Sequence, residues 1–394
     1  MRITGALVYG ADKKFHEQDL YLKDGLITDK ATEGEEVIDA AGCYAIPGLI
    51  DIHFHGAMGA DICDCTVEAF EKIAEYEAGR GVTAICPATL TLPVEKLKEV
   101  LALGAEFAKR KNTDIPDNEH ELFDGVSDQH RNMAELVGFN MEGPFISKVK
   151  KGAQNEAYIR GCDAGLVSEF VEVSKGLIKI IGLAPEDNPE FEEYISAVKD
   201  KVKVSLAHTN ADYDTAMKAF KAGASHAVHL YNAMTGMSHR EPGVVGAVFD
   251  CKNVTAELIC DGIHVHPSVV RATFEMLGPE RVILISDSLR ATGMPDGEYE
   301  LGGLPTIKKG KEIRLAEGGA IAGSGTDLMG CLKTAVKEMG IPLETAVAAA
   351  TINPARCIGI DERYGSLEVG KRANVVLIGR DDLEVKRVIM EKKI

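Results

Sequence analysis

The sequence has no tryptophan, and all its aromatic residues together make up only 6%. With so few rings, stacking of side chains on nucleic-acid bases is excluded as the basis of its function. An excess of positive charge is also missing: 44 Lys and Arg stand against 61 Asp and Glu, a net charge of −17. A surface that binds polyanions needs the opposite sign, so no nucleic acid and no membrane is an expected partner. No stretch approaches the roughly 18 consecutive apolar residues of a membrane span. The opening, MRITGALVYGADKKF, holds no apolar run of signal-peptide length. The nine cysteines are scattered, and Cys63 and Cys65 are the nearest neighbours. None has paired zinc-type spacing, so they read as reduced thiols that pack as small hydrophobes. These absences predict a soluble cytoplasmic protein.

What is present is ordinary for a globular chain: 394 residues, 45% hydrophobic and 27% charged. That composition excludes a disordered or fibrous protein. The length suits one (β/α)8 barrel of about 250 residues with a smaller domain beside it.

The two ends share a rhythm of short strands and turns. Arg2 to Tyr9, Asp19 to Leu22, Leu26 to Thr28 and Val37 to Ile38 read as strands separated by turns such as Lys23-Asp24-Gly25. Near the other end, Asn374 to Ile378 and Val385 to Met390 read as strands after the turn-rich Gly365–Gly370. Neither end is long enough for a core of its own. The expectation is that residues 1–47 and 356–394 pair into one small β-sandwich domain, and that 48–355 form the other domain.

That middle stretch carries eight short apolar, β-branched runs: Gly48–His53, Val82–Pro87, Leu136–Met141, Ile178–Ala184, Val202–Ala207, His226–Leu230, Val254–Cys260 and Val282–Ser286. Near-continuous hydrophobicity marks parallel strands buried on both faces. Helical patterns lie between most of them, at Val67–Gly79, Val94–Arg110, Ala211–Ala222 and Ser268–Leu277, and two more follow at Leu328–Glu338 and Leu343–Ala350. Eight strand–helix units predict an α/β fold, a (β/α)8 TIM barrel. A doubly wound open sheet is the weaker alternative, because no glycine-rich phosphate loop follows the first strand. Two stretches break the rhythm. Asn112 to Arg131 is polar and reads as an exposed loop, and Glu298 to Ala322 alternates and reads as a β insertion.

In a barrel enzyme the chemistry sits at the carboxyl ends of the strands. Here those ends read His53-Phe54-His55, Glu142-Gly143-Pro144, His208-Thr209-Asn210, His229-Leu230-Tyr231-Asn232, Asp261-Gly262-Ile263-His264 and Asp287. Five of the chain's eleven histidines fall at these places. His53 and His55 are two apart on a strand, so both rings point to one face, as two imidazoles sharing a metal require. Taken singly, His208 and His229 each read as a satisfied core histidine. With Glu142 and Asp287 beside them they read as a metal site. Nitrogen and carboxylate ligands without thiolate suit zinc, iron or manganese. Asp287 is either a ligand or the general base for water, and its bland reading is a helix N-cap. His264 is a ligand, a carbonyl polariser or a substrate contact. Arg240 lies in a loop, Thr235–Gly243, where a solvated arginine is the ordinary case. The Gly323-Ser324-Gly325 turn either offers N–H groups to an anion or acts as a hinge.

At this point the sequence resembles the amidohydrolase superfamily, in the HxH of strand one, the histidines of strands five and six and the Asp of strand eight. Within it the chain resembles the N-acetylglucosamine-6-phosphate deacetylases. The stretches Met141–Phe145, Lys151-Gly152-Ala153, Ala207–Ala211, His229–Met234, Arg240–Gly243, Asp261–His264, Asp287–Gly293 and Ile321–Ser324 carry that likeness. The resemblance implies that Glu142, His208 and His229 hold the main metal and that Asp287 is the general acid and base. It implies that Ala153, Gln154, Asn232, Ala233, Arg240, His264, Ile321, Ala322, Gly323 and Ser324 form the sugar-phosphate pocket. Some members lack the HxH pair and use one metal; His53 and His55 favour a second here, with Glu142 bridging. Gln154 stands where some members carry histidine. Strand four ends Leu183-Ala184-Pro185-Glu186, without the carboxylated lysine that bridges metals in most of the superfamily.

The implied activity is metal-dependent hydrolysis of the N-acetyl group of N-acetyl-D-glucosamine 6-phosphate to D-glucosamine 6-phosphate and acetate, by a homodimer with one or two divalent ions per chain. A cyclic amidase of the dihydroorotase kind and a non-catalytic barrel scaffold are the alternatives. The Glu142 position and the Arg240 loop speak against the first, and the intact ligand set against the second.

Overall fold

Short apolar runs form eight strands: β1 (Leu49–Asp51), β2 (Val82–Ile85), β3 (Phe139–Phe145), β4 (Ile178–Leu183), β5 (Lys203–Leu206), β6 (His226–Ala227), β7 (Thr255–Ile259) and β8 (Val282–Ile285). The structure, a computed structural model, describes residues 1–31, 34–112 and 132–390. The loop expected over 112–131 therefore lies, but for its first residue, outside the described residues. β1 pairs with β2 and each strand from β3 to β7 with its successor, all in parallel. The two-residue strands Glu135–Leu136 and Ala88–Thr89 extend β2 and β3 towards each other. Neighbours in the curled sheet are thus neighbours in sequence, which rules out the doubly wound alternative, whose order reverses at a switch point. Ile50, Ile180, Ile259, Ile283 and Ile285 share one buried cluster with Ala355, Cys357, Ile358 and Tyr364.

The first and eighth strands meet just beyond their carboxyl ends. The Asp287 N–H donates to the His53 carbonyl at 2.9 Å, and the His55 N–H to the Ser288 carbonyl at 2.8 Å. Below them the Ser286 hydroxyl donates to Asp51 Oδ2 at 2.5 Å. Burial pushes the Asp51 carboxyl up to about 7 despite these donors.

The helix Val67–Gly79 starts where its apolar period starts, with the Thr66 hydroxyl accepting from the Ala69 N–H. The helices Val94–Asn112, Tyr213–Ala222, Pro267–Leu277, Leu328–Lys337 and Leu343–Ala350 also lie within two residues of expectation. Four further α-helices among the described residues went unread: Ala164–Val173, Phe191–Val198, Ile352–Cys357 and Gly243–Asp250. The last is buried along most of its length, so its sequence, GVVGAVFD, has no polar face to betray a helical period.

At the amino end, the expected single strand over Arg2–Tyr9 is two strands. Gly5, at φ +78°, turns the chain between Arg2–Thr4 and Leu7–Tyr9, and these join different sheets. Arg2–Thr4 sits with Leu20–Lys23, Leu26–Thr28 and Val37–Asp39, whereas Leu7–Tyr9 sits with Phe15–Glu17, Cys43–Pro47, Asn374–Gly379 and Val385–Met390. Cys43–Pro47 and Asn374–Gly379 run antiparallel, with Ala45 opposite Leu377. Ile3, Leu22 and Ile27 of one sheet share a core with Ala45, Val375 and Leu377 of the other.

The β insertion is present as four antiparallel strands, Gly297–Leu301, Leu304–Lys309, Glu312–Leu315 and Ile321–Ser324. Its last strand returns to the end of β8, where the Ser324 N–H donates to the Asp287 carbonyl at 2.7 Å.

Candidate metal centre and its pocket

Three of the residues at the strand ends are held where L-residues rarely sit. His208, His229 and Asp287 have φ of 44°, 27° and 50°. A left-handed residue directly after a strand turns its side chain across the sheet's end instead of along its face, at a cost of order 1–3 kcal/mol each. The same turn shortens β6 to His226–Ala227, where the sequence predicts a strand to Leu230.

The side chains so aimed converge. Glu142 Oε1 lies 2.8 Å from His208 Nε2, 2.9 Å from His229 Nε2 and 3.6 Å from His53 Nε2. His55 Nε2 lies 3.5 Å from Glu142 Oε2 and 3.4 Å from Asp287 Oδ1. Two overlapping groups have the spacing to hold a metal ion: His53, His55 and Asp287, and His53, Glu142 and His229.

The opposite ring nitrogens show which atoms are free to ligate. Nδ1 of His208 faces the Lys150 carbonyl at 2.8 Å, that of His229 the Asn232 carbonyl at 3.1 Å, and that of His55 the Ala88 carbonyl at 3.1 Å. Nδ1 of His53 faces Glu257 Oε2 at 2.8 Å. All four partners only accept, so each Nδ1 carries the proton and each Nε2 turns a lone pair inward. Four lone pairs and two carboxylates facing one another call for a cation. His53 Nε2 is buried and has no hydrogen-bond partner among the described residues, as a ligand atom would. The residues therefore fit a divalent metal. Burial acts to raise the Glu142 and Asp287 carboxyls; with the facing rings neutral, a bound cation is what would keep both ionised.

A cavity of about 300 Å³ opens over this cluster. Its wall contains Ala153, Gln154, Asn232, Ala233, His264, Ile321, Ala322 and Gly323 of the expected pocket, with Glu142, His208, His229, His55 and Asp287 at its floor. His53 lies beneath, fully buried. Gln154 donates from Nε2 to Glu142 Oε2 and accepts from the Thr91 N–H at 2.7 Å. His264 is clamped by Asp261, whose Oδ2 accepts from Nδ1 at 2.7 Å. Burial would lower the His264 pKa, but Asp261 raises it above the ordinary value.

Two expected pocket residues lie elsewhere. Arg240 is exposed, bonded to His239 Nε2 at 2.6 Å and outside the cavity wall. Its loop runs over the surface into the helix Gly243–Asp250. Ser324 is buried behind the wall, where its N–H is taken by Asp287. The Gly323-Ser324 pair is the end of a strand, which corrects the expectation of an anion-binding turn or hinge there.

Sequence reasoning missed Glu257, Asn140, Asp261 as the clamp on His264, and Lys150, which reaches the wall. A signal existed for Glu257: a glutamate inside the apolar run Val254–Cys260 must have partners. Glu186, just beyond the end of β4, accepts from the Thr209 hydroxyl at 2.6 Å and from the Asn210 N–H.

The amidohydrolase family model matches residues 44–393. The chain belongs to the amidohydrolase family. The chain is similar to an N-acetylglucosamine-6-phosphate deacetylase of Vibrio furnissii, 36% identical over 85% of this chain and 79% of that protein. An N-acetylgalactosamine-6-phosphate deacetylase of Escherichia coli O157:H7 is 32% identical over 92% of this chain and 90% of its own. Among solved structures, a mutant N-acetyl-D-glucosamine-6-phosphate deacetylase of Mycobacterium smegmatis, in complex with N-acetyl-D-glucosamine-6-phosphate, superposes with a TM-score of 0.87 at 27% identity, over 99% of this chain and 97% of that one. Membership makes this chain a metal-dependent hydrolase. Among the described residues no helix is long and apolar enough to cross a membrane.

Proposed function

We propose that the protein hydrolyses the N-acetyl group of N-acetyl-D-glucosamine 6-phosphate to D-glucosamine 6-phosphate and acetate. The observation that carries the reading is the Asp287 carboxylate at the floor of the cavity, 3.4 Å from His55 and facing Glu142, His208 and His229. We read His53, His55 and Asp287 as holding one ion and Glu142, His208 and His229 another, with zinc, iron or manganese suited to both sets. A divalent cation supplies Lewis acidity and brings the pKa of water from about 15.7 to about 7.

The chain's own residues do the rest. Asp287 accepts the proton of the attacking water and returns it to the leaving amine. His264, its Nδ1 taken by Asp261, has Nε2 free to donate to an oxygen of the substrate. Ala153, Gln154, Asn232 and Ala233 bound the sugar, with Ile321, Ala322 and Gly323 opposite. Arg240 binds the phosphate from a loop that reaches the pocket of a second subunit in a homodimer, which accounts for its exposure here. Ser324 supports the site through Asp287. The finer architecture belongs to the same reading: a closed (β/α)8 barrel over 48–355, and a β-sandwich of 1–47 with 356–394. The cytoplasm is its expected place. The relative that acts on the galactosamine epimer favours a second substrate, N-acetylgalactosamine 6-phosphate.

The test is product analysis on metal-loaded and metal-stripped protein. The loaded protein should release one acetate and one primary amine per N-acetylglucosamine 6-phosphate, and the stripped protein none. Turnover of dihydroorotate instead, without acetate release, would replace this reading with the cyclic-amidase one.

A further inference from the structure

Under the ligand cluster lies a second carboxylate, Glu257 on β7, fully buried. Both its oxygens are saturated. Oε2 accepts from His53 Nδ1 at 2.8 Å and from the His229 backbone N–H at 3.0 Å. Oε1 accepts from His226 Nε2 at 3.0 Å and from Asn140 Nδ2 at 3.2 Å. The Asn140 amide also donates to the Ile52 carbonyl at 3.0 Å. On its far side His226 Nδ1 meets the Thr255 hydroxyl at 2.8 Å.

We propose that Glu257 is a positioning residue of the metal centre: it fixes the His53 ring with Nε2 turned towards Glu142 and Asp287, and it holds the left-handed backbone of His229. The proposal rests on the reading of His53 as a metal ligand. An apolar side chain would suit packing at this depth better than a carboxylate. The carboxylate is required if the ring above it must keep its proton on Nδ1 and its lone pair on Nε2. Glutamine at this place offers one acceptor and one donor. With its NH2 towards His53, the ring must move its proton to Nε2 and lose the ligating lone pair. With its oxygen towards His53, the NH2 faces the donors of His226 and Asn140. Either arrangement loosens the His53 ring.

The experiment is metal binding by metal-stripped full-length protein, titrated with zinc against a chelating indicator and checked by elemental analysis. Glu257→Gln should weaken the ion that His53→Ala removes by about 10- to 100-fold. Combined with His53→Ala, it should add nothing further to that loss. A purely structural role would instead lower the melting temperature of the metal-free protein and leave zinc affinity unchanged. Wild-type affinity in Glu257→Gln, or losses that add in the double variant, would overturn the proposal. If Glu257→Gln does not fold, Glu257→Asp, which keeps the charge on a shorter stem, should show a smaller loss in the same direction, and wild-type affinity there would overturn it equally. A wild-type protein that binds zinc while the variant binds it as well removes Glu257 alone; a wild-type protein that binds no divalent ion removes the metal reading itself.

Discussion

Asp287 Oδ1 stands 3.4 Å from His55 Nε2, while the Asp287 N–H donates to the His53 carbonyl at 2.9 Å. The end of the eighth strand is thereby registered on the end of the first, and the carboxylate reaches the histidine pair from a backbone that cannot drift away from it. The Ser324 N–H on the Asp287 carbonyl fixes the same residue from the insertion.

This arrangement gives Asp287 two replaceable properties, its ability to gain and lose a proton and the charge it offers an ion. Asp287→Asn keeps shape and backbone bonds, so melting temperature should hold while kcat falls about 10²- to 10⁴-fold. Steady-state kinetics alongside thermal melting check it, and a near-normal kcat would remove Asp287 from the proton-transfer role.

His53→Ala combined with His55→Ala should cost one divalent ion per chain and most of the activity. Elemental analysis of the purified protein decides it. Unchanged metal content with an unchanged rate would make the pair structural.

Arg240→Ala should lower kcat/KM for N-acetylglucosamine 6-phosphate by about 10- to 150-fold per bond lost, since a charged hydrogen bond contributes roughly 1.5–3 kcal/mol. It should hardly change the rate on unphosphorylated N-acetylglucosamine. Equal losses on both substrates would mean that Arg240 supports the fold and does not bind phosphate. In mixed dimers, wild-type subunits should restore pockets that lack their own Arg240.

Far from the site, Arg281 donates to the carbonyls of Leu277, Val248 and Cys251 at 2.9, 3.0 and 2.8 Å. Arg281→Ala removes this donor from the Leu277 and Val248 carbonyls, while the Cys251 carbonyl keeps the Val254 N–H at 3.1 Å, and should lower stability by about 2–3 kcal/mol. Because nothing in the pocket touches Arg281, kcat/KM should stay unchanged; a stable variant with lost activity would show that the helix ends couple to the site.

How much of this was legible in the sequence depended on whether the signal was local. His53-Phe54-His55 could be read because two residues on one strand share a face, and Glu298 to Ala322 because alternation marks a half-buried strand. The helix Gly243–Asp250 could not, since burial on most sides removes the period. Ser324 was read as part of a turn because glycines flank it, yet Gly323 at φ +51° ends a strand. The partnership of His53 with Glu257 spans 204 positions, and nothing along the chain announces it except a glutamate in an apolar run. Arg240 resembled a pocket residue by its motif, but its exposed side chain lies outside the cavity wall.

The central claim concerns a phosphorylated N-acetyl amino sugar, so its most direct test is the ratio of kcat/KM for N-acetylglucosamine 6-phosphate to that for N-acetylglucosamine, measured by acetate release on metal-loaded protein. The account predicts efficient release from the phosphorylated sugar and a far smaller value without the phosphate. A ratio near one, or no acetate from either sugar, would contradict it.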